Sequence, residues 1–250
     1  MRIFTNIEML ELETIMSNGP GTINPLLIWD ETDVVLFDAG LPGMGARFRE
    51  AAEDTGVPFE RLNKILMTHS DMDHIGSLSQ IMQEAEARIT LMAHEEEKPY
   101  IECDLPPIRM KQMEASINSV TGTMREQLVS VTENLKKSYR MFKANVDKTI
   151  EDGEVLPFCG GITCIHTPGH TPGHMSYYLN KSKLLIAGDI LQVMDGTLEK
   201  CPDFTILDKA AISASLKKLS RYEVEIVVCY HGGFFKNNVS QRIIEIASGV

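Results

Sequence analysis

No C-x-x-C pair occurs in this chain, and its five cysteines (Cys103, Cys159, Cys164, Cys201 and Cys229) are odd in number and scattered. That spacing argues against a thiolate metal site or a disulfide framework and reads as reduced core thiols of a cytoplasmic protein. Positive charge is scarce as well: 24 Lys and Arg face 35 Asp and Glu, a net charge of −11. A general binder of nucleic acid or of acidic membrane surfaces carries the opposite footprint, so we expect neither partner. No apolar run approaches the length of a membrane span. The opening Met1-Arg2-Ile3-Phe4-Thr5-Asn6-Ile7-Glu8 lacks a signal-peptide h-region, which again points to the cytoplasm. Solenoid repeats and low-complexity tracts are missing too. What remains, 250 residues at 43% hydrophobic, suits one globular domain with a large core, or one domain with an insertion.

Against these absences one stretch is dense with chemistry. His69-Ser70-Asp71-Met72-Asp73-His74 packs two imidazoles and two carboxylates into six residues. It follows the apolar run Lys64-Ile65-Leu66-Met67-Thr68, which reads as a short buried strand, and opens a helical pattern over Asp73 to Leu78. His69 and Asp71, two apart in extended chain, would point the same way, whereas the adjacent Asp73 and His74 must diverge. One hexapeptide can therefore serve two neighbouring metal ions. Taken singly, Asp73 could merely cap the helix and His69 could satisfy a backbone carbonyl; four such residues together favour metal.

Other strand ends repeat the theme. Strands are expected over Asn24 to Trp29 and Val34 to Phe37, paired around Glu31-Thr32-Asp33, with Asn18-Gly19-Pro20-Gly21 as a break before them. Asp38 closes the second of these strands before a Gly-rich turn and suits a bracing role. Met44 to Gly56 reads as a helix and Arg88 to Ala93 as a strand. From Arg109 to Lys148 apolar residues fall every three or four positions, broken at Thr121-Gly122-Thr123. That segment carries +4 against −15 for the rest of the chain. It reads as a helical insertion at about 95–150, either a lid or substrate wall or else a buttress or dimer face. After it, strands over Gly161 to His166, Met175 to Leu179, Lys183 to Ala187 and Glu223 to Cys229 deliver His170, Asp189 and His231, with helices over Asp208 to Leu219 and Ser240 to Ala247. The two Pro-Gly turns of His166-Thr167-Pro168-Gly169-His170-Thr171-Pro172-Gly173-His174 would fix how the imidazoles project. Imidazole and carboxylate without thiolate suits Zn²⁺, Fe or Mn²⁺, and seven ligands suit two ions sharing a bridge.

This pattern resembles the metallo-β-lactamase superfamily, whose signature is His-x-His-x-Asp-His, then a His in a Thr-Pro-Gly-His turn, an Asp after a strand and a late His before Gly. The matches are His69, Asp73, His74, His170, Asp189 and His231, in family order, and the resemblance covers the chain apart from the helical insertion. It implies an α/β fold, an αβ/βα four-layer sandwich with the metals at one edge. It also implies a first site of His69, Asp71, His170 and Asp189 and a second of Asp73, His74, Asp189 and His231, with Asp189 bridging. His166 and His174 match non-ligand positions and are expected to support the ligands from behind.

Two departures stand out. Asp71 replaces the second His of the signature, like the Glu of flavodiiron relatives; a third carboxylate should lower the positive charge of the centre and blunt water activation. Gln192 stands where the lactonase branch has a Tyr, and Tyr100 offers another candidate substrate contact. The expected activity is hydrolysis of an ester, lactone or thioester of a small-molecule substrate, with Asp73 as proton shuttle. A di-iron or mono-iron redox enzyme and a ligand-binding sensor without turnover are the alternatives, and a homodimer through the insertion is a candidate assembly.

Overall fold

The computed structural model describes residues 1–16, 19–85 and 88–249. Its first half runs β1 (Arg2–Phe4), β2 (Ile7–Met9), β3 (Leu12–Met16), β4 (Gly19–Ile23), β5 (Leu26–Trp29), β6 (Val34–Phe37), α1 (Gly45–Asp54), β7 (Lys64–Leu66), α2 (Met72–Ile75), α3 (Leu78–Glu84), β8 (Thr90–His94), α4 (Lys98–Ile101), α5 (Met110–Ile117), α6 (Gly122–Ser138) and β9 (Lys148–Ile150). The second half runs β10 (Val155–Leu156), β11 (Ile162–His166), β12 (Met175–Leu179), β13 (Leu184–Gly188), β14 (Leu191–Met194), β15 (Thr197–Lys200), α7 (Lys209–Leu219), β16 (Ile226–Cys229), β17 (Gly233–Phe235) and α8 (Val239–Ser248).

Two sheets carry the fold, ordered β1-β2-β5-β6-β7-β8-β9 and β10-β11-β12-β13-β16-β17. Their central strands are apolar on both faces, and the alternation of a strand sends neighbours to different cores. In β6, Val35 and Phe37 enter the core between the sheets, while Val34 and Leu36 pack outward beneath α1 and α3 with Phe48 and Ile81. In β13, Leu184 and Ile186 face the inter-sheet core; Leu185 and Ala187 face Ile212, Leu216 and Ile243 of α7 and α8. Three cores between four layers give the αβ/βα sandwich that the motif implied.

Strands β6 to β9 run parallel, as do β13 and β16, so their C-terminal ends gather at common edges. Asp38, His69, Asp189 and His231 all follow such ends.

Several elements differ from expectation. Gly19-Pro20-Gly21 is not a break but part of β4, with Pro20 opposite Ile15 of β3; a two-stranded ribbon leaves each strand a free edge, where a proline costs no ladder bond. Asn18 lies outside the described residues. The helix after the motif is split in two, because the Gly76 amide donates to Gly40 O (2.7 Å) and the Ser77 amide to Ala39 O (3.2 Å). The insertion is indeed a helical pair, interrupted between Ile117 and Gly122. Its apolar stripe, however, is mostly only half-buried, and Met124 and Val131 stay in solvent at 64% and 55% exposed. The reason is that α6 packs mainly along α5 and enters none of the three cores.

Candidate metal centre

Asp38 organises the inner wall. It follows β6 with a left-handed backbone, φ 62°, and its carboxylate accepts from the Thr68 amide (2.8 Å), Thr68 Oγ1 (2.8 Å) and His74 Nδ1 (2.9 Å). Because the Thr68 hydroxyl donates its one proton to Asp38, it accepts from His69 Nδ1 at 2.9 Å. Both imidazoles thus carry a proton on Nδ1 and turn Nε2 toward the same space.

His174 is fixed just as firmly and cannot ligate. Its Nε2 accepts from the Asp189 amide (2.9 Å), so Nδ1 donates to Thr167 Oγ1 (2.9 Å), which contacts Ser176 Oγ (3.0 Å), which donates to Ala187 O (3.0 Å). Burial, with His69 and His170 beside it, holds it neutral, well below the ordinary range for imidazole. Gly188 makes this possible: its φ is 58°, and a Cβ there would stand 2.6 Å from His174 Nε2.

Asp189 occupies the centre. Its carboxylate lies 3.4 Å from His74 Nε2, 3.6 Å from His170 Nε2 and 3.2 Å from His231 Nε2. Asp73 joins from the far side, 3.3 Å from His231 Nε2 and 3.8 Å from His74 Nε2. Two donor groups therefore share Asp189: His69 and His170 on one side, and Asp73, His74 and His231 on the other. Burial works against charge throughout; at His170 it prevails and lowers the imidazole, whereas Asp73, His74, Asp189 and His231 hold one another ionised. His231 and His74 keep Asp189 well below the usual carboxylate range, and the same imidazoles lower Asp73. Asp189 and its neighbouring carboxylates raise His74 and push His231 up to about 10.

Among the described residues four buried side-chain atoms lack a hydrogen-bond partner: His69 Nε2, His74 Nε2, His170 Nδ1 and Asp189 Oδ1. Each orphan costs about 1–3 kcal/mol, and all four belong to this cluster. Three of them, His69 Nε2, His74 Nε2 and Asp189 Oδ1, lie among the other donors, and such a set of imidazole nitrogens and carboxylate oxygens fits a divalent cation.

Asp71 lies at the edge of this group. Its Oδ2 is 3.0 Å from His170 Nε2 and 3.4 Å from His69 Nε2, and these imidazoles outweigh burial to hold its carboxyl well below the ordinary range. Its other neighbour is Arg109, from the start of the insertion, whose Nε lies 3.0 and 2.9 Å from the two carboxylate oxygens and whose Nη2 lies 2.8 Å from Oδ2. The expectation that Asp71 makes the centre more negative is therefore corrected: a guanidinium accompanies it.

The remaining candidates fall elsewhere. His166 does not back a ligand; it stacks on His94 at 4.1 Å and donates from Nε2 to Pro172 O. His94, Glu96 and His166 form a third group of donors, but the rings are parallel within 9°, so their in-plane lone pairs run side by side and do not converge. Tyr100 in α4 and Gln192 in β14 are half-buried and hydrogen-bond to no residue of the cluster. Glu97 was not foreseen. Its buried carboxylate accepts from the Ser70 amide (2.9 Å) and hydroxyl, Thr171 Oγ1 (2.6 Å) and the Gly173 amide (2.8 Å), tying the two ligand-bearing loops together. Within a run of three glutamates nothing in the sequence marks the third as buried.

A family model described as the metallo-beta-lactamase superfamily matches residues 18–231. A probable metallo-hydrolase of Bacillus subtilis, YflN, is 28% identical over 212 residues, 79% of this chain and 75% of that protein. A hydroxyacylglutathione hydrolase of Haemophilus influenzae is 24% identical over 239 residues, 92% of each chain. Among solved structures, a metallo-beta-lactamase family protein from Thermus thermophilus superposes with a TM-score of 0.73 at 20% identity, over 99% of this chain and 80% of that one. A metallo-beta-lactamase from Pontibacter korlensis does so with a TM-score of 0.69 at 14% identity, over 100% and 98%.

Proposed function

We propose, from the premise that the chain belongs to the metallo-beta-lactamase superfamily, that it is a dinuclear metal-dependent hydrolase of an ester, lactone or thioester carbonyl. The observation that carries this reading is the carboxylate of Asp189 between two groups of donors whose buried atoms lack partners. His69, His170 and Asp189 would hold one ion, with Asp71 at its edge; Asp73, His74, Asp189 and His231 would hold the other. Zn²⁺ suits this donor set best, with Fe or Mn²⁺ also compatible. Such ions acidify water to a pKa near 7 and polarise a carbonyl oxygen, which is the chemistry the centre needs.

The chain supplies the rest. Substrate approaches from the side of Asp73 and His231, whose side chains are 26% and 28% exposed, while those of His69 and His74 are 0% exposed. Asp73 takes a proton from the attacking water, whose oxygen bonds to the carbonyl carbon. The carbon–oxygen or carbon–sulfur bond to the leaving group then breaks, and the proton passes from Asp73 to that atom, leaving an acid and an alcohol or thiol. The substrate is a small molecule and not nucleic acid or membrane lipid, in keeping with the net charge of −11; no helix among the described residues is long and apolar enough to cross a membrane. We read the chain as one catalytic domain carrying its insertion at about 95–150. The relative named as a hydroxyacylglutathione hydrolase, matched over 92% of both chains, favours including thioesters in the first screen.

Elemental analysis of protein purified without added metal, followed by a panel of lactones, esters and thioesters, tests the reading. Two ions per chain and turnover of at least one class are expected. One ion or none in fully loaded, folded protein overturns the dinuclear centre, and no hydrolysis across the panel overturns the activity.

A further inference from the structure

The motif places a carboxylate, Asp71, beside two donors that would share an ion with Asp189, in a cluster already holding Asp73 and Asp189. Unpaired, a third carboxylate would lower the formal charge of two divalent ions and their ligands from +2 to +1. Arg109 returns that charge to +2. Its nitrogens are heavily committed: Nε donates to Asp71, Nη2 to His170 O (3.0 Å), and Nη1 to Thr205 O (2.7 Å) and Gln112 Oε1 (3.3 Å), while Nη2 also lies 2.8 Å from Asp71 Oδ2 as an ion pair. A guanidinium already paired with Asp71 and held by His170 O, Thr205 O and Gln112 is not free to anchor an anionic substrate, so the basic character of the insertion does not act at the centre by that route. The fork geometry fixes both oxygens of Asp71 while leaving Oδ2 beside His69 and His170.

We propose that Arg109 is a positioning residue for the metal centre, pairing with Asp71 so that the two together act as one electroneutral donor where the motif would otherwise place a neutral imidazole. This rests on the metal-binding part of the reading above, not on its substrate. The consequence lies in metal choice. A paired carboxylate donates weakly, much like a neutral group; an unpaired one is a hard, fully charged oxygen that favours Mn²⁺ over Zn²⁺ compared with the native pair. It also gives the insertion a direct line to the centre, since Arg109 immediately precedes α5.

A double-mutant cycle separates this from a strap that merely pins the insertion to Thr205 and His170. Zn²⁺ and Mn²⁺ affinities are measured by chelator competition in the wild-type protein, Arg109→Met, Asp71→Asn and the double variant, with circular dichroism as a control for folding. Arg109→Met should raise Mn²⁺ affinity relative to Zn²⁺ by about tenfold, and in the Asp71→Asn background by less than about twofold. An equal shift in both backgrounds, or none in the folded single variant, overturns the proposal. Should Arg109→Met fail to fold, Arg109→Lys keeps the charge without the fork. It should then hold the wild-type ratio within about threefold, and a tenfold change there overturns the charge balance. Wild-type protein that binds neither ion refutes the metal centre itself, a result distinct from either of these.

Discussion

The inner and outer sides of the metal cluster are built on opposite principles. On the inner side Asp38, Thr68, His69 and His74 form a closed network in which every proton has an assigned place, and the imidazoles are sealed from solvent. On the outer side Asp73 and His231 are about a quarter exposed and touch only other candidate ligands through their ionisable atoms. A sealed network holds the ligating nitrogens in place before any ion arrives, which is what affinity needs. An exposed carboxylate can exchange a proton with water, which is what turnover needs. The difference teaches that retention and chemistry can be lost separately, and substitutions on each side should show it.

Asp189 belongs to both sides, so its loss should erase the distinction. Asp189→Ala removes the carboxylate that lies within 3.6 Å of His74, His170 and His231. Elemental analysis should show both ions depleted and kcat/KM reduced by about 10⁴-fold. Retention of two ions would mean that the halves do not share this group. On the outer side alone, Asp73→Ala should lower kcat by about 10²–10⁴-fold while the ion expected between His69 and His170 and the melting temperature persist. Unchanged kcat would remove Asp73 from the proton path. On the inner side, Asp38→Asn tolerates the left-handed backbone but offers an amide where His74 and Thr68 need acceptors. Metal affinity should fall about 10–100-fold, with kcat per bound ion nearly unchanged. An effect on kcat larger than on affinity would reverse the assignment of the two sides.

The motif itself, which feeds both sides, was the most legible part of the sequence. Four chemically rich residues within six positions after an apolar strand stand out against any background, and the doubled Pro-Gly turn marks His170 almost as clearly. The two central strands β6 and β13 were foreseen because four or more apolar residues in a row between turn signals have few other readings. Less legible were elements whose cause lies across the fold. The strands β14, β15 and β17 span three or four residues each, too short for a period to show. Glu97 and Arg109 look like ordinary solvated charges until Ser70, Thr171 and Asp71 are brought beside them by segments 27 to 74 residues away. Arg109 had one available signal: a carboxylate standing where an imidazole is expected needs a cation, and the nearest surplus lay in the basic insertion. His166 misled because its turn repeats the His170 turn in sequence, whereas β11 ends with its ring against His94.

The smallest effect should come from the region that resembles neither side of the cluster. The outer face of α6 leaves Met124 and Val131 exposed, and Thr132 is its one buried residue. Replacing both apolar side chains by Gln removes little buried apolar surface, since each is more than half exposed. Stability should therefore change by no more than about 0.5 kcal/mol, with metal content and kcat/KM unaltered. The two roles that remain for the insertion predict different departures from that baseline. If α6 folds over a bound substrate, KM rises while kcat and the sedimentation coefficient stay fixed. If it is a dimer face, in which basic helices meet the acidic body of a second copy, the native protein sediments as a salt-sensitive dimer and the double variant as a monomer, with the kinetics unchanged. Met124→Gln/Val131→Gln that matches wild type in stability, KM and sedimentation leaves Arg109 as the insertion's contact with function, and moves the interest in this segment from its helices to the residue that precedes them.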